Sequence, residues 1–157
     1  MKKYTIGFSI IAVSLCMVVA QAQKPQPQKK KVAFKGKSYL YGGLIGSGKL
    51  SKKMFDSLIA YPLVTKDSNG NPHQAIQFMF SYSERGLYED STGKPRIMTD
   101  RYFTESVNGK LPEDWVPHIR AHSKGGDTVL FYDILSAYPD TLRTRFYTEP
   151  IKLVLTD

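Results

Sequence analysis

Three short segments of this chain carry residue types that bind phosphate or metal ions, and each lacks a group that its chemistry requires. Residues 43–50 match the first seven positions of the glycine-rich loop that cradles nucleotide phosphates. The eighth position needs a Ser or Thr hydroxyl for Mg²⁺, but Leu50 stands there and Ser51 follows one place too late. We therefore expect a glycine-rich turn that leads into a capped helix, and no bound nucleotide.

The two candidate metal sites are also incomplete. Residues 67–72 begin like a calcium loop, but Pro72 stands where the sharp turn needs Gly, and Phe78 stands where a bidentate Glu belongs. His118 and His122 have the spacing of two zinc ligands on one helix face, yet no Glu lies between them and a third ligand is missing. We expect a hairpin turn in the first segment, surface histidines in the second, and no metal or other cofactor.

The sequence gives little support to catalysis. The only cysteine, Cys16, lies in the apolar N-terminal run, and the chain contains no Gly-x-Ser-x-Gly motif. The acidic pairs at 89–90 and 113–114 are adjacent in the chain, so the members of a pair do not face each other across a substrate. We expect a protein that is not an enzyme.

Alternating apolar residues predict the strands. Ile76, Phe78, Phe80 and Tyr82 alternate with more polar residues, which indicates one strongly apolar face. Few segments are long enough to form the helices that connect parallel strands, so the fold class is α+β, mainly antiparallel β and sandwich-like, with two short helices. The predicted strands, about six, are 39–41, 76–83, 96–103, 128–135, 145–147 and 151–155.

The two helices are predicted from caps and apolar spacing. Ser51 is a good N-cap for a helix over 52–59, in which apolar residues recur every three to four positions. Pro112 suits the first turn of a second helix that runs through Ile119, although Pro117 must kink or limit it.

The basic character of the chain is confined to its N-terminal part. The chain has 22 Lys and Arg against 14 Asp and Glu, a formal net charge of +8. Residues 38–157 are balanced, so the charge does not indicate a nucleic-acid-binding surface. The lysines that account for the excess are Lys2, Lys3, Lys24, Lys29, Lys30, Lys31, Lys35 and Lys37.

The first 22 residues have the three parts of a secretory signal peptide. A basic start is followed by an uncharged apolar run over 6–20 and by small residues that suit cleavage after Ala22. An uncleaved anchor and lipidation at Cys16 are the alternatives, although Leu15 is a poor residue before a lipidated cysteine. We expect an exported protein, periplasmic or secreted, that keeps no cysteine and no disulfide after cleavage.

Residues 23–37 form a basic tether rich in Pro, Gln and Lys. Alternating prolines favour an extended, semi-stiff chain. The tether is either a solvated spacer or a contact for an anionic surface such as lipid head groups or an acidic partner. The residues that would make that contact are Lys24, Lys29, Lys30, Lys31, Lys35 and Lys37.

A pattern of turns and strand residues extends over most of 42–157. The segments that form it are 48–52, 78–82, 126–134, 138–140, 144–145 and 149–153. In these segments the chain resembles the C-terminal domain of the gliding-motility protein GldM. One difference is Thr141, where that family usually has Gly after Pro-Asp.

The GldM resemblance implies a β-rich interaction domain in an exported protein of Bacteroidetes, related to type IX secretion and gliding. Together with the two N-terminal segments described above, it divides the chain into three regions: a signal peptide (1–22), the tether (23–37) and a GldM C-terminal-like domain (38–157). The expected partner is a cell-envelope protein, without a nucleotide or nucleic acid.

Surface aromatic residues leave a second function open, a module that binds glycans or small ligands. Most of these residues are expected in the core, because a small domain without disulfides needs them there. The candidates are Tyr82, Tyr88, Tyr102, Phe103, Trp115, Phe131, Tyr132, Tyr138, Phe146 and Tyr147.

Overall fold

A computed structural model describes residues 33–138 and 141–157. Most of this part of the chain is in strands, and two short helices cover part of the sheet. The elements in chain order are β1 (Gly36–Tyr39), β2 (Gly48–Ser51), α1 (Lys52–Leu58), β3 (Val64–Asp67), β4 (Pro72–Glu89), β5 (Pro95–Glu105), α2 (Trp115–His122), β6 (Thr128–Tyr138), β7 (Thr141–Thr148) and β8 (Ile151–Thr156).

The predicted α+β class, mainly antiparallel with two short helices, is confirmed. The described strands form one eight-stranded sheet in the order β1-β3-β4-β6-β8-β2, with β5 paired to β4 and β7 paired to β6. All of these pairs are antiparallel except β2–β8. The sandwich-like character takes the form of a single sheet that curls into a half-barrel.

The curl of the sheet follows from the length and irregularity of β4. This strand has 18 residues, and its pairing with β6 shifts register between Ala75 and Gln77 and again between Gln77 and Met79. At the first shift β4 has one extra residue, and at the second β6 has one. Such bulges bend a strand and change which side chains face inward. Ile76 is consequently exposed while Ala75 is buried, so the prediction that Ile76 shares the apolar face of Phe78 was wrong.

The hydrophobic core lies between the concave side of the sheet and the two helices. Phe55 and Ile59 from the α1 region and Ile119 from α2 are almost fully buried against it. The core aromatic rings of the sheet meet edge to face, as Phe80 and Phe131 do at 5.1 Å between centroids. The sheet residues of this core are Leu50, Ala75, Phe78, Phe80, Tyr82, Val129, Phe131, Ile134, Ile151, Leu153 and Leu155.

The helix boundaries agree in part with the sequence. Ser51 is the N-cap of α1, and its Oγ accepts a hydrogen bond from the Met54 N–H at 3.4 Å, as predicted. α2 begins at Trp115 rather than near Pro112. Pro117 is the third residue of α2, within the first turn, where a missing N–H breaks no intrahelical bond. It therefore does not limit the helix.

The three strands of four residues, β1, β2 and β3, differ from the strands predicted from the sequence. β2 and β3 were not predicted, and β2 separates the glycine-rich turn from α1. β1 begins at Gly36, inside the range assigned to the tether, and backbone hydrogen bonds join it to the end of β7 (Lys35 N–H to Tyr147 O, 2.8 Å; Glu149 N–H to Gly36 O, 3.0 Å). In the described part of the chain, neither helix is long and apolar enough to cross a membrane.

Candidate functional site

The outer part of the β4–β5 hairpin extends beyond the rest of the sheet. Pairing between β4 and β6 ends at Ser83 and Thr128. Pairing between β4 and β5 continues from Glu84 opposite Asp100 to Glu89 opposite Pro95. Residues 84–100, which we call the ribbon, therefore pair with no other strand among the described residues, and both faces of this ribbon meet solvent.

The ribbon carries large apolar side chains on both faces. Leu87 and Ile97 lie directly opposite each other and are 74% and 63% exposed. Met98 is next to Ile97 in the chain and, because strand side chains alternate, points to the other face, where it is 55% exposed. A cluster of exposed apolar residues on a projecting hairpin is typical of a binding surface.

The face of Leu87 and Ile97 continues onto the main sheet. Phe103 lies on the same side of β5, is 55% exposed, and borders a groove of about 290 Å³. We call this continuous surface, from Leu87 and Ile97 to the groove, the outer face. The groove is lined by Ser81, Ser83, Arg101, Phe103, Thr128, Leu130, Tyr132 and Lys152.

A buried carboxylate holds the base of the ribbon. Asp127 is fully buried, and it accepts hydrogen bonds from the Tyr82 hydroxyl (2.6 Å), the Arg85 N–H (2.9 Å) and the Lys124 N–H (3.0 Å). Burial, followed by the hydrogen bond to Asp127, raises the pKa of the Tyr82 hydroxyl well above its ordinary value of 10.0. Asp127 thus fixes the point at which β4 leaves the sheet.

A tyrosine stiffens the middle of the ribbon. The ring of Tyr88 lies across Gly86, so that a Cβ at Gly86 would collide with the ring. The Tyr88 hydroxyl donates a 2.6 Å hydrogen bond to Asp100 Oδ2 on the opposite strand, and this bond raises the pKa of Tyr88. An aromatic ring over a glycine is a known means of supporting a weak point in a hairpin.

A second carboxylate shapes the tip of the ribbon. Asp90 accepts hydrogen bonds from the Thr92 hydroxyl (2.6 Å) and N–H (2.9 Å), the Lys94 N–H (3.1 Å) and Arg96 Nε (2.7 Å). These bonds, led by that of the Thr92 hydroxyl, lower the pKa of Asp90 from 3.8 to about 2. The turn therefore gains stability above pH 3.8, and this gain is lost as the pH falls toward 2.

Replacing Thr92 by Val should raise the pKa of Asp90 toward its ordinary value. Valine has nearly the same shape but lacks the hydroxyl that makes the largest contribution, while the backbone donors stay in place. A carbon-detected NMR titration of the Asp90 carboxyl measures the midpoint in both proteins. Ser91→Ala serves as a control in the same turn, and an unchanged midpoint in Thr92→Val would contradict the assignment.

Only two of the six tether lysines fall in the described part of the chain. Lys35 and Lys37 line a groove of about 390 Å³ together with Lys66, which lies opposite Lys37 on β3. The Lys66 ammonium sits 4.9 Å from the centre of the Tyr39 ring. Lys24, Lys29, Lys30 and Lys31 lie outside the described residues, so the anionic contact through the whole set stays a prediction.

The calcium-like segment forms the turn between β3 and β4, as predicted. Asp67 Oδ1 accepts from the backbone N–H groups of Asn69 and Asn71 (both 2.9 Å), while Oδ2 contacts the Asn71 amide (3.2 Å) and His73 (3.3 Å). Burial raises the pKa of Asp67, but these hydrogen bonds, led by that of the Asn71 backbone, lower it overall. Both carboxylate oxygens of Asp67 therefore stabilise this turn.

The histidine pair lies on the surface, as predicted. His118 and His122 are exposed on α2 with ring centroids 4.3 Å apart, and His122 Nδ1 lies 2.8 Å from the His118 carbonyl oxygen. Within residues 33–138 and 141–157, no group of three or more His, Cys, Asp or Glu side chains is placed to hold a metal ion.

Sequence reasoning singled out Phe103 and Tyr132 as candidate surface aromatics but missed Leu87 and Ile97 of the outer face, although a signal was present. β5 contains two apolar doublets, Ile97-Met98 and Tyr102-Phe103. In a strand, a doublet places one apolar residue on each face, which indicates contacts on both sides. The segment was predicted only as a strand over 96–103, with no statement about its two faces.

No protein-family model matches this chain, and no curated protein matches it either. Its function is therefore inferred from its own residues and their arrangement.

Proposed function

We propose that this chain is an exported, non-catalytic interaction or structural module of the cell envelope, and that it binds a protein partner through the outer face. The observation that carries the proposal is the exposed pair of Leu87 and Ile97 on a projecting, well-anchored ribbon. Through the GldM resemblance, the proposal includes an accessory role in type IX secretion or gliding machinery of Bacteroidetes.

The energetics of the ribbon favour a partner. A buried Leu or Ile side chain is worth about 1.5–3 kcal/mol relative to an exposed one, so covering Leu87 and Ile97 would supply several kcal/mol of binding free energy. The ribbon is held at its base by Asp127 and at its tip by Asp90, so little conformational entropy is lost on binding. Exposed apolar residues that cluster on one surface mark binding sites on proteins.

The buried polar groups support a non-catalytic role. Both carboxylate oxygens of Asp127 and of Asp67 accept hydrogen bonds that stabilise turns and strand ends. Ser38 and Thr148 pair at 2.6 Å and Thr65 and Ser136 at 2.7 Å, hydroxyl to hydroxyl, inside the sheet. Among the described residues, every buried side-chain nitrogen or oxygen has a partner, which is the pattern of a structural polar network.

Export is supported by the signal-peptide pattern of residues 1–22, with cleavage after Ala22. Export suits a module that works outside the cytoplasm, in the periplasm or beyond the cell.

A second candidate function, the binding of a glycan or small ligand, is favoured by the groove beside Phe103. An aromatic ring next to convergent polar groups can stack on a sugar and hydrogen-bond to its hydroxyls. Arg101, Ser83 and Lys152 are among the polar groups in this groove. A glycan array probed with the exported protein separates the two functions, because a protein-binding module should give no signal that Phe103→Ala abolishes.

Capture from a solubilised envelope fraction of the source cells tests the main proposal. Leu87→Ser/Ile97→Ser should reduce recovery of a specific envelope protein by about tenfold or more, because the apolar anchors are lost. Leu44→Ser is the matched control, since Leu44 is 85% exposed but lies far from the ribbon in the chain, between β1 and β2. Equal capture by the double variant and the control would refute the outer face as the binding surface.

A further inference from the structure

The outer edge of β5 is a free strand edge. Among the described strands β5 pairs only with β4, and each of its 11 residues is at least partly exposed. One edge of the strand therefore presents a row of backbone N–H and C=O groups that can receive another strand. In natural proteins such an edge is either protected against pairing with another chain or paired with a partner strand.

The residues of β5 are complementary to themselves in one antiparallel register. A two-fold axis perpendicular to the sheet keeps each face on its own side, so residues directly opposite each other come from the same face. If Met98 lies opposite its own copy, Arg96 of each copy lies opposite Asp100 of the other. The register thus forms two pairs of opposite charge, and it pairs Ile97 with Thr99 on the other face.

The other registers that pair seven or more residues of β5 are less favourable. One places Asp100 opposite Asp100, and another places Arg101 opposite Arg101; like charges in direct opposition are destabilising. The registers centred on Thr99 and on Tyr102 form no pair of opposite charges. Charge complementarity therefore selects the register centred on Met98.

The two charged residues are already positioned for this pairing. Arg96 donates from Nε to Asp90 and is 70% exposed, so its terminal N–H groups remain on the solvent side. Asp100 accepts from the Tyr88 hydroxyl with Oδ2, which orients the carboxylate and leaves Oδ1 for another donor. Side chains held in place before binding lose little entropy on association.

We propose that two copies of this chain associate through β5, antiparallel, with Met98 on the two-fold axis. The sheets of the two copies then continue into each other, and the residue pairs Leu87 and Ile97 of both copies lie on one joined surface. This inference does not depend on the proposed function, because the strand edge and the outer face are different surfaces. Seven residues from each copy make a small interface, so the expected dissociation constant is roughly 10 µM to 1 mM.

Charge exchange tests the register. Arg96→Asp and Asp100→Arg should each weaken self-association by about tenfold or more, because each creates two like-charge contacts. The double variant restores both pairs in reversed order and should recover to within about threefold of the wild type. Sedimentation equilibrium of the exported protein measures all three, and Lys53→Asp on α1 controls for the change in net charge.

Cysteine cross-linking tests the axis directly. In a Cys16→Ser background, Met98→Cys should form a disulfide-linked dimer on mild oxidation, because opposed residues of antiparallel strands have Cα atoms about 4.5–5.5 Å apart. Leu87→Cys, on the outer face of β4, should not. The proposal is overturned if the protein is monomeric at about 1 mM. It is also overturned if the double charge-exchange variant associates no more strongly than the single variants. Envelope capture measured on Arg96→Asp shows separately whether the outer face still binds.

Discussion

Replacing Gly109 by alanine should destabilise the fold by about 3 kcal/mol or more. Gly109 has a φ of +71°, a conformation that an L side chain adopts only with strain. An added Cβ would also collide with the carbonyl oxygen of Ala75 and lie 2.9 Å from its carbon. Ala75 cannot move away easily, because its N–H donates to Leu63 O (3.1 Å) and it borders the irregular part of β4.

Gly70→Ala is the matched control for Gly109→Ala. Gly70 also has a positive φ, +83°, but nothing lies within 4 Å of the position of its Cβ. This variant should therefore lose only the unfolding free energy that comes from backbone strain at a positive φ, about 1 kcal/mol. Urea unfolding followed by circular dichroism gives both values, and losses of equal size would show that the contact with Ala75 is not important.

Replacing Asp127 by alanine should cost about 3–4 kcal/mol of unfolding free energy. The change leaves the buried Tyr82 hydroxyl and the N–H groups of Arg85 and Lys124 without their acceptor. Because Arg85 lies at the base of the ribbon, hydrogen exchange in residues 85–88 should also become faster than in the rest of β4. Thermal and urea unfolding together with hydrogen exchange measure the two effects.

Asp90→Ala is the matched control for Asp127→Ala. Both carboxylates accept several hydrogen bonds, but Asp90 is at the solvent-exposed tip, where water can replace the lost acceptor. Asp90→Ala should therefore lose clearly less unfolding free energy than Asp127→Ala. Tyr82→Phe, which removes one donor and leaves Asp127 in place, should fall between wild type and Asp127→Ala. A larger loss for Asp90→Ala would contradict the anchoring role of Asp127.

Features of the fold that depend on neighbouring residues were predictable from the sequence. The Ser51 cap and the Asp67 turn are determined by side chains that bond to backbone groups within a few residues. The alternation of Phe78, Phe80 and Tyr82 predicted a buried face, because strand side chains alternate between the two faces.

Features that depend on distant residues were not predictable. β2 has four residues and little apolar pattern, and it is a strand because β8 pairs with it across about a hundred residues of chain. The exposure of Ile76 depends on a shift in pairing with β6, which local spacing does not show. The ribbon was missed for the same reason, since its exposure depends on where β6 stops pairing with β4.

The role of the tether lysines in the fold was also not predictable from the sequence. Charge counting identified where the excess of basic residues lies, but not which of them belong to the fold. Lys35 and Lys37 lie in and beside β1, next to Lys66 of β3, so the basic surface of the described part combines residues distant in the sequence.

The parallel pair β2–β8 has a consequence for the order in which the chain can fold. β2 lies near the start of the folded part, but its partner, residues 151–156, comes more than 90 residues later. During synthesis or threading through a membrane channel from the N-terminus, β2 therefore has no partner until that late segment has emerged. Folding that depends on such remote contacts is slow, typically milliseconds to seconds. Under the export that we propose, the sheet would close only after residues 151–156 have emerged.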